Sequence, residues 1–170
     1  MRHFFTLIRA ELWRLLINPS TYIAAFLFLL IMGFVFQWIL LDYANNPKEE
    51  SPSLTFFQIF VFPIFFMVPL LTMRSIAEER SSGTIETLMT VAVTATEVIL
   101  SKFCASYVYY ALLWAFTGTF HYLFFSFVQE DSIFDPYPII GGYAFIAISG
   151  TLVLSLGIFS SSMTRSQLVA

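Results

Sequence analysis

Charge is scarce in this chain. Asp, Glu, Lys and Arg make up 11% of its 170 residues, against roughly 25% in an ordinary soluble domain. A soluble globular fold is thereby excluded, and a 58% hydrophobic composition describes a membrane protein instead. Cysteine is scarcer still. The single Cys104 rules out an internal disulfide and a cysteine metal site, and reads as a small side chain buried in the membrane. Strand-length runs of alternating hydrophobicity, which a transmembrane barrel needs at about ten residues each, are missing. The spans are therefore helices, whose backbones satisfy their own hydrogen bonds in lipid.

The few charges are clustered near residues 2–14, 42–50, 74–102, 130–135 and at Arg165. The four gaps between clusters can each hold the roughly 20 apolar residues that cross a bilayer. The sequence predicts an all-α polytopic membrane protein of one domain, residues 1–170, with transmembrane helices over 22–41, 54–73, 103–128 and 137–163. The first of these is too long for the roughly 7–15-residue core of a signal peptide, and no small-x-small cleavage pattern follows it, so it is a true span.

Placement of Lys and Arg sets the topology. Arg2, Arg9, Arg14, Arg74, Arg80, Lys102 and Arg165 fall on one side of the four spans, and only Lys48 falls on the other. The positive-inside rule puts both ends and residues 74–102 in the cytoplasm, with the acidic loops outside.

Residues 2–16 predict an amphipathic helix, with Phe4, Phe5, Ile8, Leu12, Leu15 and Leu16 on one face and Arg2, Thr6, Arg9 and Trp13 opposite. Two readings stay open: a helix lying in the membrane interface, or the cytoplasmic foot of the first span. Asn18-Pro19-Ser20 argues for a break, because the residue before proline is driven out of the helical region. In the second span Pro63 and Pro69 remove backbone donors and predict bends or a hinge. Gly141, Gly142, Gly150 and Gly157 in the fourth allow close helix packing, within the chain or between chains. Gln37 and His121 are the conspicuous polar residues inside spans. His121 is a candidate for a relay, or simply a hydrogen-bonded side chain.

The segment 74–102 carries Arg74, Glu78, Glu79, Arg80, Glu86, Glu97 and Lys102 between two spans that have no charge at all. The second span continues as a helix through Arg80, and Ser81-Ser82-Gly83 ends it, with glycine free to take the left-handed conformation. A short helix starts at Thr84 with Glu86 near its positive end, and Ile85, Leu88 and Met89 share a face. Thr94 and Glu97 match a capping box at the entry of the third span. Lys102 is expected to extend its stem back to the lipid headgroups. Nothing here forms a catalytic set, a phosphate-binding glycine loop or a metal site. No cofactor and no nucleic-acid partner is called for. The plain alternative is a solvated loop.

The run RSIAEERSSGTIETLMT at 74–90, followed by EVILSKF at 97–103, resembles the first cytoplasmic loop of type 2 ATP-binding-cassette (ABC) exporter permeases, especially the gliding-motility and related bacterial permeases. Residues 11–22 and 161–170 are similar as well. The resemblance implies that residues 84–90 form a coupling helix docking into a separate cytoplasmic ABC ATPase subunit. Glu78, Glu79, Arg80 and Glu86 would be docking charges, Gly83 the turn, and Thr84, Ile85, Leu88 and Met89 the docking helix and its apolar contact. It implies a membrane subunit that is not itself an enzyme, paired with a second permease subunit in a bacterial plasma membrane. The chain has Val91-Ala92 where the family often has proline, and Ser101 where it often has glycine. Six spans are typical of the family, so a chain ending at Ala170 is expected to be partial. Two other classes remain open: a non-transporting four-span scaffold or assembly protein, which a neighbouring ATPase gene would argue against, and, more distantly, an intramembrane enzyme, for which convergent catalytic residues are missing.

Overall fold

The computed structural model describes residues 2–45, 52–59, 61–72, 94–127 and 136–163. They form six helices: α1 (Arg2–Ile17), α2 (Pro19–Asn45), α3 (Pro52–Gln58), α4 (Val61–Thr72), α5 (Ala95–Phe127) and α6 (Pro136–Met163). No strand occurs among the described residues. Helices α2, α5 and α6 are each long and apolar enough to cross a membrane. At 1.5 Å per residue the 27 residues of α2 reach about 40 Å, more than the roughly 30 Å hydrocarbon core.

The second predicted span is not one continuous helix. Helices α3 and α4 meet at a 46° bend, and together they count as a fourth span only if the bent pair crosses as a unit. The proline at 63 supplies the reason. An uninterrupted helix would bond the amide of residue 63 to the carbonyl of Ile59, and proline has no amide hydrogen to give. The freed Ile59 carbonyl instead accepts from the amide of Phe62 at 3.2 Å, a tighter turn that ends the α-helical run. Pro69, in contrast, lies inside α4 without terminating it.

The junction of α1 and α2 follows the Asn-Pro-Ser signal. Asn18 still donates its amide to the Arg14 carbonyl at 3.1 Å, so it closes α1. Its side-chain Oδ1 accepts from the Ser20 amide at 3.1 Å, and its carbonyl accepts from Thr21 at 3.0 Å. Asn18 is thus both the end of one helix and the N-cap of the next, with Pro19 in the first turn where its missing donor costs nothing. The whole joint is one residue long.

Helix α1 packs chiefly along α5, α2 along α4, and α6 against both α4 and α5, with α3 wedged between α2 and α6. The shared core includes Phe28 and Met32 from α2, Met67 and Leu71 from α4, Tyr110 and Trp114 from α5, and Leu154 from α6. Phe28 and Trp114 meet edge to face with ring centres 5.0 Å apart, a preferred aromatic geometry. On α6, Gly142, Gly150 and Gly157 form one stripe, and each receives a different helix. Phe57 of α3, Tyr110 of α5 and Thr72 of α4 occupy the places where a Cβ would stand. The tyrosines of α5 lock this arrangement by donating to backbone carbonyls: Tyr110 to Ile146 at 3.1 Å, Tyr107 to Ala147 at 3.1 Å and Tyr109 to Thr21 at 3.2 Å.

Candidate functional site

The charged segment 74–102 follows α4, which ends at Thr72, and its last residues form the start of α5 from Thr94 onward. The predicted coupling residues Glu78, Glu79, Arg80, Gly83, Thr84, Ile85, Glu86, Leu88 and Met89 lie outside the described residues. The start of α5 is described in detail. Thr94 donates its amide to Glu97 Oε2 at 3.1 Å, and the Glu97 amide donates to Thr94 Oγ1 at 3.3 Å. The Thr94 hydroxyl also reaches Glu97 Oε2 at 3.0 Å. This reciprocal pair satisfies orphan amides at a helix start, so α5 begins at a defined residue within the charged segment.

Two turns further, about 12 Å along the helix axis, comes Lys102. Its expected reach to the lipid headgroups is corrected by the structure. The side chain is buried to 1% exposure, and its Nζ lies 2.7 Å from Oε1 of Glu11 on α1. A buried ammonium is stable only where an opposite charge takes the place of water, and α1 supplies that charge. Arg14 approaches the other carboxylate oxygen of Glu11 at 3.4 Å, so Glu11 sits between two cations. Beside the pair is a cavity of about 20 Å³ whose lining includes Asn18, Thr21, Lys102 and Ser106. It has room for one water and the polar groups to hold it. Leu70 and Leu71 of α4 also line the cavity, so α1, α2, α4 and α5 converge on this one polar junction.

Glu11 also re-sorts the faces of α1. Phe4, Leu7, Ile8, Glu11, Leu12 and Leu15 are partly buried, whereas Phe5, Arg9, Trp13 and Leu16 are exposed. The single apolar face expected from the sequence is therefore split, with Phe5 and Leu16 turned outward beside Arg9 and Trp13. Hydrophobicity alone places the centre of the face among the phenylalanines and leucines. The ion pair with Lys102 moves that centre to the carboxylate. Sequence reading missed Glu11 as the partner of Lys102. The available signal was a lone acid among three arginines, at helical spacing from Phe4, Ile8 and Leu15.

His121 stands near the other end of α5. It is 7% exposed, stacked on Phe57 with ring centres 5.3 Å apart, and edge-on to Phe56 at 4.7 Å. Its Nδ1 lies 3.4 Å from the Thr117 carbonyl, while Nε2 has no hydrogen-bond partner among the described residues. Gln37 lies on the exposed side of α2 and does not extend this cluster. No group of three or more His, Cys, Asp or Glu suited to a metal occurs among the described residues. The arrangement around His121 is an aromatic packing cluster, with no carboxylate beside it among the described residues.

No curated protein and no solved structure matches the chain. Residues 41–170, well over half of its length, match the family model of the ABC-2 family transporter proteins. With its all-helical bundle of apolar spans and the charged segment between α4 and α5, the chain belongs to the ABC-2 transporter family, as a multi-pass membrane permease component and not as the ATPase.

Proposed function

We propose that this chain is the membrane subunit of an ATP-driven exporter, moved by a separate cytoplasmic ABC ATPase that docks on residues 84–90 of the charged segment. The reading places the N-terminus in the cytoplasm of a bacterial plasma membrane and pairs the chain with a second permease subunit. Carrying it is the position of the charged segment within a member of the ABC-2 family: it joins the end of α4 to a firmly capped α5. A push on such a segment acts on two membrane helices at once. Seven of the eight Lys and Arg residues fall on its side, as a cytoplasmic location requires. ATP drives the switch only through contacts that differ between the two states of the permease. The short helix 84–90 is where those contacts are made, with Glu78, Glu79, Arg80 and Glu86 as docking charges and Ile85, Leu88 and Met89 as the apolar surface.

The test is co-purification with an ABC ATPase and measurement of its ATP hydrolysis, for the wild type and for Glu79→Lys and Gly83→Pro. Loss of binding or of stimulated hydrolysis in both variants is expected. Unchanged binding together with unchanged stimulation would remove the coupling role from this segment.

A further inference from the structure

A push on residues 74–102 reaches α4 and α5 directly, because the chain runs into both. The structure adds a second connection that chain order does not contain. Lys102 is buried, and its ammonium is held at 2.7 Å by Glu11, 91 residues away in sequence. Between the cap at Thr94 and Lys102 the helix is unbroken, so displacement of the segment carries Lys102 with it. A buried ion pair tolerates neither a slide nor a rotation of one partner alone, since either motion leaves a charge without compensation in a low-dielectric setting. A purely apolar contact at this place would hold the helices equally well on average but would let them slip past one another. Helix α1 ends at Asn18, which is simultaneously the cap of α2. Whatever moves α1 is therefore delivered one residue later to the first long span.

We propose that Glu11 and Lys102 are a positioning pair that locks α1 to α5, so that a stroke applied to residues 74–102 is passed through α1 and the Asn18 joint into α2. The proposal rests on the ATP-coupled reading given above. Glu11 is the residue that converts a two-helix lever into one that also engages the first span. Lys102 is its anchor, and Asn18 is the pivot.

Distances between paired spin labels test this, using the permease with its co-purified ATPase in lipid nanodiscs and a Cys104→Ser background. One label pair, Arg9→Cys with Thr96→Cys, reads α1 against α5 from two exposed positions. A second pair, Phe66→Cys with Thr96→Cys, reads α4 against α5. On trapping with ATP and vanadate, the α4–α5 distance is expected to shift while the α1–α5 distance does not. In Glu11→Gln the α1–α5 distance becomes nucleotide-dependent and stimulation of ATP hydrolysis is lost, and Glu11→Asp restores both. The doubly apolar Glu11→Leu/Lys102→Met variant keeps the bundle folded without a buried charge, and is expected to lose the α1–α5 lock as well. A wild-type α1–α5 distance that changes as much as α4–α5, or a doubly apolar variant indistinguishable from wild type, overturns the positioning pair while leaving the ATP-coupled reading intact. No nucleotide-dependent change in either distance overturns that reading and the pair with it.

Discussion

Helix α5 buries two basic side chains, and they are treated in opposite ways. Lys102, two turns past the cap at Thr94, meets a carboxylate from another helix. His121 lies 19 residues further along, about 28 Å away, and meets the rings of Phe56, Phe57 and Tyr143. An ammonium out of water is costly without a counter-charge, and α1 places a carboxylate opposite position 102. An imidazole can remain neutral among aromatics, so position 121 dictates only shape. The first site is a joint between helices that could transmit force. The second is a packing contact that wedges the short α3 against α5 and α6.

That contrast can be broken most forcefully at the joint. Glu11→Ala leaves Lys102 buried without its carboxylate, and unfolding in detergent or nanodiscs is expected to show a loss of about 3–5 kcal/mol, read as a large fall in thermal midpoint and yield. Gly150→Leu is next. Tyr110 occupies the space a side chain would need, and overpacking of this kind costs about 1–3 kcal/mol, measurable in the same assay. Thr94→Ala removes one half of the capping box at the foot of α5. The expected loss is about 1 kcal/mol, visible as faster hydrogen exchange confined to the first turn of α5. The smallest effect falls on the other side of the comparison. His121→Phe conserves an aromatic ring, removes an Nε2 that has no partner among the described residues, and gives up only a long 3.4 Å contact from Nδ1 to the Thr117 carbonyl. Its stability should match wild type to within about 0.5 kcal/mol. A loss as large as that of Glu11→Ala would show that His121 does more than pack.

What the sequence made legible was local. The capping box lies within four residues, and Thr94 and Glu97 declare it by identity and spacing alone. The Asn18-Pro19 joint is equally local, as are the long apolar runs that become α2, α5 and α6. The glycines of α6 announced close packing, although which helix each would receive depends on contacts with Phe57, Tyr110 and Thr72 that no short window contains. Pro63 and Pro69 looked alike in sequence. Only one of them terminates a helix, because the carbonyl that Pro63 leaves free is taken up by Phe62 in a tighter turn. Least legible was the pair of Glu11 and Lys102. Lys102 in isolation is a lysine near a membrane surface, with a stem long enough to reach headgroups. That rule assumes water is the nearest place for a charge to go, and α1 brings a carboxylate closer. On α1, Glu11 is covered together with Leu7 and Ile8 while Phe5 and Leu16 are exposed, a split of the apolar face that periodicity alone assigned as one.

The central claim is that a separate ATPase grips residues 84–90, and a photoreactive amino acid at position 88 tests it in living cells. The account predicts a covalent adduct between the permease and an ABC ATPase from position 88, and none when the same probe replaces the exposed Phe145 of α6. Adducts at position 88 that contain no ATPase, while an ATPase is captured from Phe145, would contradict it.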